Sequence, residues 1–396
     1  MGDASMITVI GIGEDGLDGL SAAARTLVDG AEVLVGGARH LAMIPANGAE
    51  RLTWASPFAD SRTLLEARAD KRMVVLASGE PLWFGAAVTL TGWFGADRVS
   101  VVPHPGAFSL ACAHLGWAMQ DCLFLTIHGR PLDSLAPHLA PGRRLLILAE
   151  DRTSPAKVVA LLAQHGYGAS PVVVLENLGG AAERITDVSG CASDLCVVAV
   201  ECRLDRGVRP LSTVPGLPDE AFEHDGQLTK RDIRAATLAA LAPLPGQVLW
   251  DVGAGCGSIA IEWMRAGGQA VAIESKPERL DRIARNAARL GVPGLEIIAG
   301  RAPDALPLDR EPPDAIFVGG GVSEAGLLDI CWSALGRGGR LVANAVTMEG
   351  EAALVALFGL HGGEMTRLSV AHLDRVGGFH AWHPAMPVTR YVGWKK

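Results

Sequence analysis

Apolar residues along this chain fall in short runs, each closed by glycine, proline or an acidic residue, and the runs alternate with stretches of helical spacing. In the carboxyl half, residues 248–252, 270–274, 296–299, 314–318 and 340–344 read as strands. Between them, 258–266, 277–290 and 324–335 carry the apolar i, i+3, i+4 recurrence of helices, and a glycine-rich turn at 336–339 leads into the last strand. An entry helix over 229–241 shows Ile233, Leu238 and Leu241 on one face and is ended by Pro243 and Pro245. Strands alternating with helices predict a parallel, doubly wound, Rossmann-like sheet. The amino half is also α/β, with strands at 6–10, 73–77 and 99–102, a helix over 109–115, and further strands at 123–126, 144–149, 171–175 and 195–200. The later strands read as a second lobe, so a ligand is expected in the cleft between the lobes. Residues 205–222 hold Pro210, Pro215 and Pro218 with Gly207 and Gly216 and no sustained apolar period. They predict a linker between domains at 1–204 and 223–396.

Composition narrows the class. A chain of 396 residues is long enough for two cores, and 49% hydrophobic residues suit deeply buried parallel strands. Mean hydropathy is +0.26, yet no apolar run reaches the ~18 residues of a membrane span, and the start of the chain lacks a secretory pattern. Seven scattered cysteines fit a reducing cytoplasm, and Cys191 and Cys196 are too widely spaced for a metal clip, so no metal is expected. A net charge of −8 argues against a nucleic-acid partner, which calls for a basic footprint. The local exception is Lys230, Arg231 and Arg234, of which Lys230 and Arg234 share a helical face; a solvated helix start and a substrate grip both fit them.

The chemistry is concentrated in glycine-spaced turns. Strand 248–252 runs into Gly253, Ala254, Gly255, Cys256 and Gly257, and a helix follows from Ser258. Glu274 closes the next strand ~20 residues later, where a nucleotide ribose is held in such units. Glycines let the backbone turn sharply and bring main-chain N–H groups against a ligand. The G-x-G-x-G spacing resembles class I S-adenosylmethionine methyltransferases more than dinucleotide dehydrogenases, which favour G-x-G-x-x-G. Asp251 either orients the turn or braces the helix start.

In the amino half, the first three strands end in Gly11-Ile-Gly13, in Ser78-Gly-Glu-Pro81 and in Pro105-Gly106-Ala107-Phe-Ser109. In that order they resemble the tetrapyrrole methylase family, the class III methyltransferases. Glu14-Asp15 stands where the family has Pro-Gly, and Glu80 where it has Asp. A tetrapyrrole methylase half joined to a class I half resembles the bifunctional, decarboxylating C5,15 precorrin methyltransferases of cobalamin biosynthesis. The entry helix from Leu228 and the stretch from Gly300 to Leu306 are similar to that family's carboxyl half. The resemblance implies methylation of a precorrin at carbons 5 and 15, decarboxylation of its ring C acetate, one S-adenosylmethionine site per domain, and self-association.

It further implies that Thr229, Gly253, Ala254, Gly255, Cys256, Gly257, Glu274 and Ala302 hold the cofactor in the carboxyl half. Gly11, Ser78, Gly79, Glu80, Trp83, Phe108 and Ser109 do so in the amino half. A ring studded with acetates and propionates needs cationic grips, for which Lys230, Arg231, Arg234 and Arg301 are candidates. Asn344, Arg231 and His380 are candidates for the catalytic steps, with His372 and His383 as further proton donors. Glu262 reads as a brace at the edge of the core. Two other readings stay open: a carboxyl half that methylates RNA or protein, and an amino half that serves only for substrate delivery or oligomerisation.

Overall fold

The apolar runs of the amino half build two sheets. Strands β1 (Ile7–Ile12), β2 (Val33–Gly36), β3 (Glu50–Thr53), β4 (Met73–Ser78) and β5 (Val99–Val102) form a parallel sheet in the order β3-β2-β4-β1-β5. The computed structural model describes residues 7–396, so Met6, expected in the first strand, lies outside it. β1 and β4 are almost wholly buried, which is why their sequences are continuous apolar runs and not alternating ones. The second sheet is β6 (Cys122–Thr126), β7 (Arg144–Leu148), β8 (Val172–Glu176), β9 (Arg184–Thr186) and β10 (Cys196–Glu201), in the order β6-β7-β10-β8-β9. Only β6 and β7 pair parallel there; β10 is antiparallel to β7 and β8.

The chain divides into two units, one of residues up to 132 with 139–208 and one of 133–138 with 209–396. The second unit's sheet uses β11 (Val248–Val252), β12 (Gln269–Glu274), β13 (Glu296–Ala299), β14 (Ala315–Val318), β15 (Arg340–Ala345), β16 (Glu364–Leu368) and, beyond a hairpin of β17 (Ala371–Val376) and β18 (Phe379–Pro384), β19 (Val388–Trp394). The order is β13-β12-β11-β14-β15-β19-β16. The sheet is doubly wound as expected, but not wholly parallel: β19 runs antiparallel between β15 and β16. Strand order reverses beside β11, between β12 and β14, which is where open α/β sheets leave a crevice at their carboxyl ends. The helix expected from 324 begins only at Leu327, because Gly326 sits at φ +75° and interrupts the turn.

The segment read as a linker is anchored to the second unit. Leu217 and Phe222 are buried in its core, and Gly216 and Leu217 donate their N–H groups to Glu262 at 2.6 and 3.2 Å. Arg234, on the helix Arg231–Leu241, is the hub of this brace. Its Nε donates to Glu262 at 2.5 Å and one Nη to Asp219 at 3.0 Å, and further N–H groups donate to the carbonyls of Thr229 and Leu217. The guanidinium also lies 4.8 Å from the Phe222 ring centroid. Arg234 is fully buried, so the expectation that it grips substrate is corrected: every arm of its fork faces protein. Glu262 is the core-edge brace its sequence position suggested.

Removing one partner of a buried pair leaves the other charge uncompensated. Arg234→Met is therefore expected to destabilise the second unit by about 3–5 kcal/mol in urea unfolding. A loss below ~1 kcal/mol, the range of exposed pairs, would contradict the brace.

Candidate functional site

Register places the three loops of the first unit side by side. Gly11 pairs with Ala77 and Ile12 with Ser78, while Ile10 pairs with Val102, so β1, β4 and β5 release their loops at one edge of the sheet. The approach there is too close for side chains. A Cβ on Gly11 would collide with the Gly79 carbonyl oxygen, and one on Gly79, at φ +52°, would stand 2.6 Å from the Gly106 Cα. The three loop backbones thus meet directly, and the Gly79 N–H donates to the Ile12 carbonyl at 2.9 Å. Glu80 accepts the Leu82 N–H at 3.2 Å and so shapes its own loop. Trp83 stands half exposed, its ring edge-to-face with Phe108 at 6.4 Å and Phe124 at 5.4 Å. Phe108 itself is buried and belongs to the core. Ser109 Oγ lies 3.9 Å from the Met119 sulfur.

Glu14, at the departure from the family's loop, forms an ion pair with Arg39. The Arg39 guanidinium in turn donates to Ser78 Oγ at 3.2 Å, so the unusual acid ties the first loop to the second. Neither Arg39 nor His40 announces itself in sequence, since both sit on a short helix, Ala38–Met43, without a local motif.

The second unit holds a cavity of about 1050 Å³ at the switch point. Val252 pairs with Ile273 and with Val318, which sets the turn after β11 between Glu274 and the glycines at 319–321. Gly253, Gly255 and Gly257 all have positive φ, at +72°, +64° and +80°. A Cβ on Gly253 would press to 3.1 Å on the Gly320 backbone. Glu274 accepts from the Gly255 N–H at 2.8 Å and from Ser275 and Lys276 at 2.9 and 3.0 Å, so its carboxylate is fixed at the mouth of the turn. Asp251 accepts the Ala260 N–H at 3.0 Å and is almost completely buried. Burial pushes its carboxyl up to about 7, with the Glu274 charge adding to the rise and the Ala260 bond opposing it.

Thr229, Ala254, Cys256, Ala302, Lys230, Arg231, Arg301 and Asn344 line the same cavity. Arg301 is paired with Glu324 at 2.6 Å, and Arg231 donates to the Gly216 carbonyl at 2.9 Å. Asn344 Nδ2 donates to Thr237 Oγ1 at 2.9 Å; its Oδ1 is buried with no partner among the described residues. His372 lines the cavity and sits 3.3 Å from Asp232. His380 does not: it lies on the exposed β18, paired in register with Arg375, and is removed as a catalytic candidate. Sequence reasoning missed Lys276, Arg279 and the run Gly319-Gly320-Gly321, although three glycines closing an apolar strand are a readable sign of close approach.

The chain is 47% identical over 399 residues to a precorrin-6Y C(5,15)-methyltransferase (decarboxylating) of a Sinorhizobium species, covering 98% of this chain and 96% of that one. The chain belongs to the precorrin-6Y C(5,15)-methyltransferase (decarboxylating) family. A Mycobacterium tuberculosis protein of the same name is 43% identical over 98% of this chain and 99% of its own. Two family models match this chain: tetrapyrrole (corrin/porphyrin) methylases over residues 6–190 and the precorrin methyltransferase domain over 220–395. A cobalt-precorrin-7 C(5)-methyltransferase of Salmonella typhimurium is 36% identical over 46% of this chain and 89% of its own length. Membership in this family displaces the reading of the carboxyl half as an RNA or protein methyltransferase.

The raised carboxyl of Asp251 carries a pH signature. Its acid form is favoured in the folded state, so stability of the second unit falls as pH rises from 3.8, the ordinary value, through about 7. Asp251→Asn keeps an acceptor for Ala260 but cannot ionise. It is expected to flatten that part of the stability profile and to gain at least ~1 kcal/mol at pH 8 relative to the parent. Parallel profiles in thermal unfolding from pH 5 to 8 would refute the assignment.

Proposed function

We propose that this chain methylates one precorrin at carbons 5 and 15 and decarboxylates its ring C acetate, in cobalamin biosynthesis, and that each unit holds its own S-adenosylmethionine. The observation that carries the two-site reading is the repetition of one physical device. In each unit, parallel strands release glycine turns whose backbones approach so closely that side chains are excluded. Following the family resemblance, we assign carbon 5 to the first unit and carbon 15 with decarboxylation to the second.

Bound S-adenosylmethionine supplies an electrophilic methyl group. The chain's part is to orient donor and acceptor and to exclude water. In the second unit Gly253, Ala254, Gly255, Cys256 and Gly257 would cradle the donor's amino-acid end. Glu274 would take the ribose hydroxyls, and Ala302 and Thr229 would flank the adenine side. In the first unit Gly11, Gly79, Glu80 and Ser109 would serve the same purpose, with the half-exposed Trp83 against a planar group. Lys230, Arg231 and Arg301 form a cationic rim for the substrate's carboxylates, Arg231 and Arg301 offering bidentate forks. With Arg234 occupied by the brace, these three carry the grip. Decarboxylation draws on the conjugated macrocycle as its electron sink, so the protein needs only to hold the acetate and deliver a proton. His372 at the cavity wall is the nearer candidate for delivery.

Self-association is supported by the hairpin β17–β18, whose residues are all exposed and include Phe379 and Trp382 at 82% and 69% exposure. A cytoplasmic setting is consistent with seven free cysteines and with the absence of any helix, among the described residues, long and apolar enough to cross a membrane.

Calorimetric titration of the full chain with S-adenosylhomocysteine is expected to give two sites per chain. Gly79→Val and Gly253→Val should each remove one, weakening it by at least ~10-fold, and leave the other unchanged. One site in the parent protein, abolished by Gly253→Val alone, would reject the two-donor reading.

A further inference from the structure

Beside the loop edge of the first unit, four polar side chains touch in sequence, Glu14 to Arg39 and Arg39 to both His40 and Ser78. His40 is buried, at 8% exposure, directly under the second loop. Its Nε2 stands 3.0 Å from Arg39 Nη2 and 3.0 Å from Ser78 Oγ. A guanidinium can only donate, so Nε2 must present its lone pair, and the ring's proton is on Nδ1. Ser78 Oγ accepts from Arg39 at 3.2 Å, and its hydroxyl at 3.0 Å shares the single Nε2 lone pair with the Arg39 N–H. Ser78 is exposed at the end of β4 while His40 is not. The pair therefore leads from the open edge of the sheet to a buried base.

The chemistry proposed for the first unit needs such a base. Methylation at carbon 5 replaces a hydrogen on a conjugated carbon. The new C–CH3 bond takes its electron pair from the ring π system as the CH3–S bond breaks toward sulfur. The ring is left cationic, and the carbon-5 proton must depart, returning its C–H pair to the ring. We propose that Ser78 and His40 carry that proton away: Ser78 Oγ takes it from carbon 5 while passing its own hydrogen to His40 Nε2. The imidazolium then returns the proton to water through the exposed hydroxyl, so neither residue is consumed. This inference rests on the assignment of carbon-5 methylation to the first unit.

The surroundings keep the imidazolium short-lived, since burial and the neighbouring guanidinium both disfavour it. Arg39 adjoins the ring, and the Glu14 carboxylate pairs with Arg39, offsetting its charge. Burial, reinforced by Arg39, lowers the imidazole to about 4, so it stands unprotonated and ready to accept at neutral pH. A base this weak suffices only because the methylated ring is cationic and its carbon-5 proton correspondingly acidic. Glu14, the departure from the family's loop, thereby has a role in this chain: it balances the guanidinium that orients both partners.

The experiment uses the full chain, precorrin substrate with hydrogen or deuterium at carbon 5, and S-adenosylmethionine. In the parent protein proton loss follows methyl transfer and the rates with the two substrates are expected to be equal. His40→Gln and Ser78→Ala should each slow carbon-5 methylation by about 10²-fold or more, and a primary isotope effect should emerge because proton loss becomes limiting. Binding of S-adenosylhomocysteine to His40→Gln, measured by calorimetry, should remain at the parent value, which separates a lost base from a lost fold or a lost donor site. Slowing without an isotope effect, or full activity in both variants, overturns the relay. If the parent protein itself leaves carbon 5 unmethylated, it is the functional assignment that fails and not the relay alone.

Discussion

The second site depends on one constraint, the anchoring of a left-handed glycine turn by a buried carboxylate. Gly253, Gly255 and Gly257 supply a backbone path that other residues resist, and Glu274 holds it by accepting the Gly255 N–H. The same carboxylate caps Ser275 and Lys276 as they leave β12, so one side chain fixes both walls of the crevice. Asp251 lies close enough to feel that charge and is held near neutrality by burial. A cationic donor entering the turn would relieve both carboxylates at once, which gives the site a reason to prefer a sulfonium with an ammonium over a neutral nucleotide.

The loops of the first unit are held in another way. Its loops are positioned by strand register and by the collisions that glycine avoids, and the charged groups nearby, Glu14 and Arg39, sit to the side as ties between loops. Sheets of different strand order and direction in the two units fit a fusion of separate ancestors better than a duplication.

Much of this was legible in the chain. Strands buried on both faces leave unbroken apolar runs, and glycine at a ligand-facing turn leaves a spaced signature, so β1, β4, β11 and β12 and their loops could be read directly. What sequence concealed was long-range pairing. Arg234 shares a helical face with Lys230 and reads as solvated or substrate-facing; only its approach to Glu262, 28 residues away, makes it a brace. His40 and Ser78 are 38 residues apart and meet because β2 pairs with β4. No strand was read beyond residue 344, so β19, which runs antiparallel between β15 and β16, was missed. His380 looked chemically apt and lies on an exposed hairpin.

The most direct measurement of the central claim is the mass of the product formed from a reduced precorrin-6 substrate with methyl-labelled S-adenosylmethionine and the intact chain. Two labelled methyl groups gained and one carbon dioxide lost per macrocycle is the predicted result. A product carrying a single label with its acetate intact, at complete turnover, would contradict it.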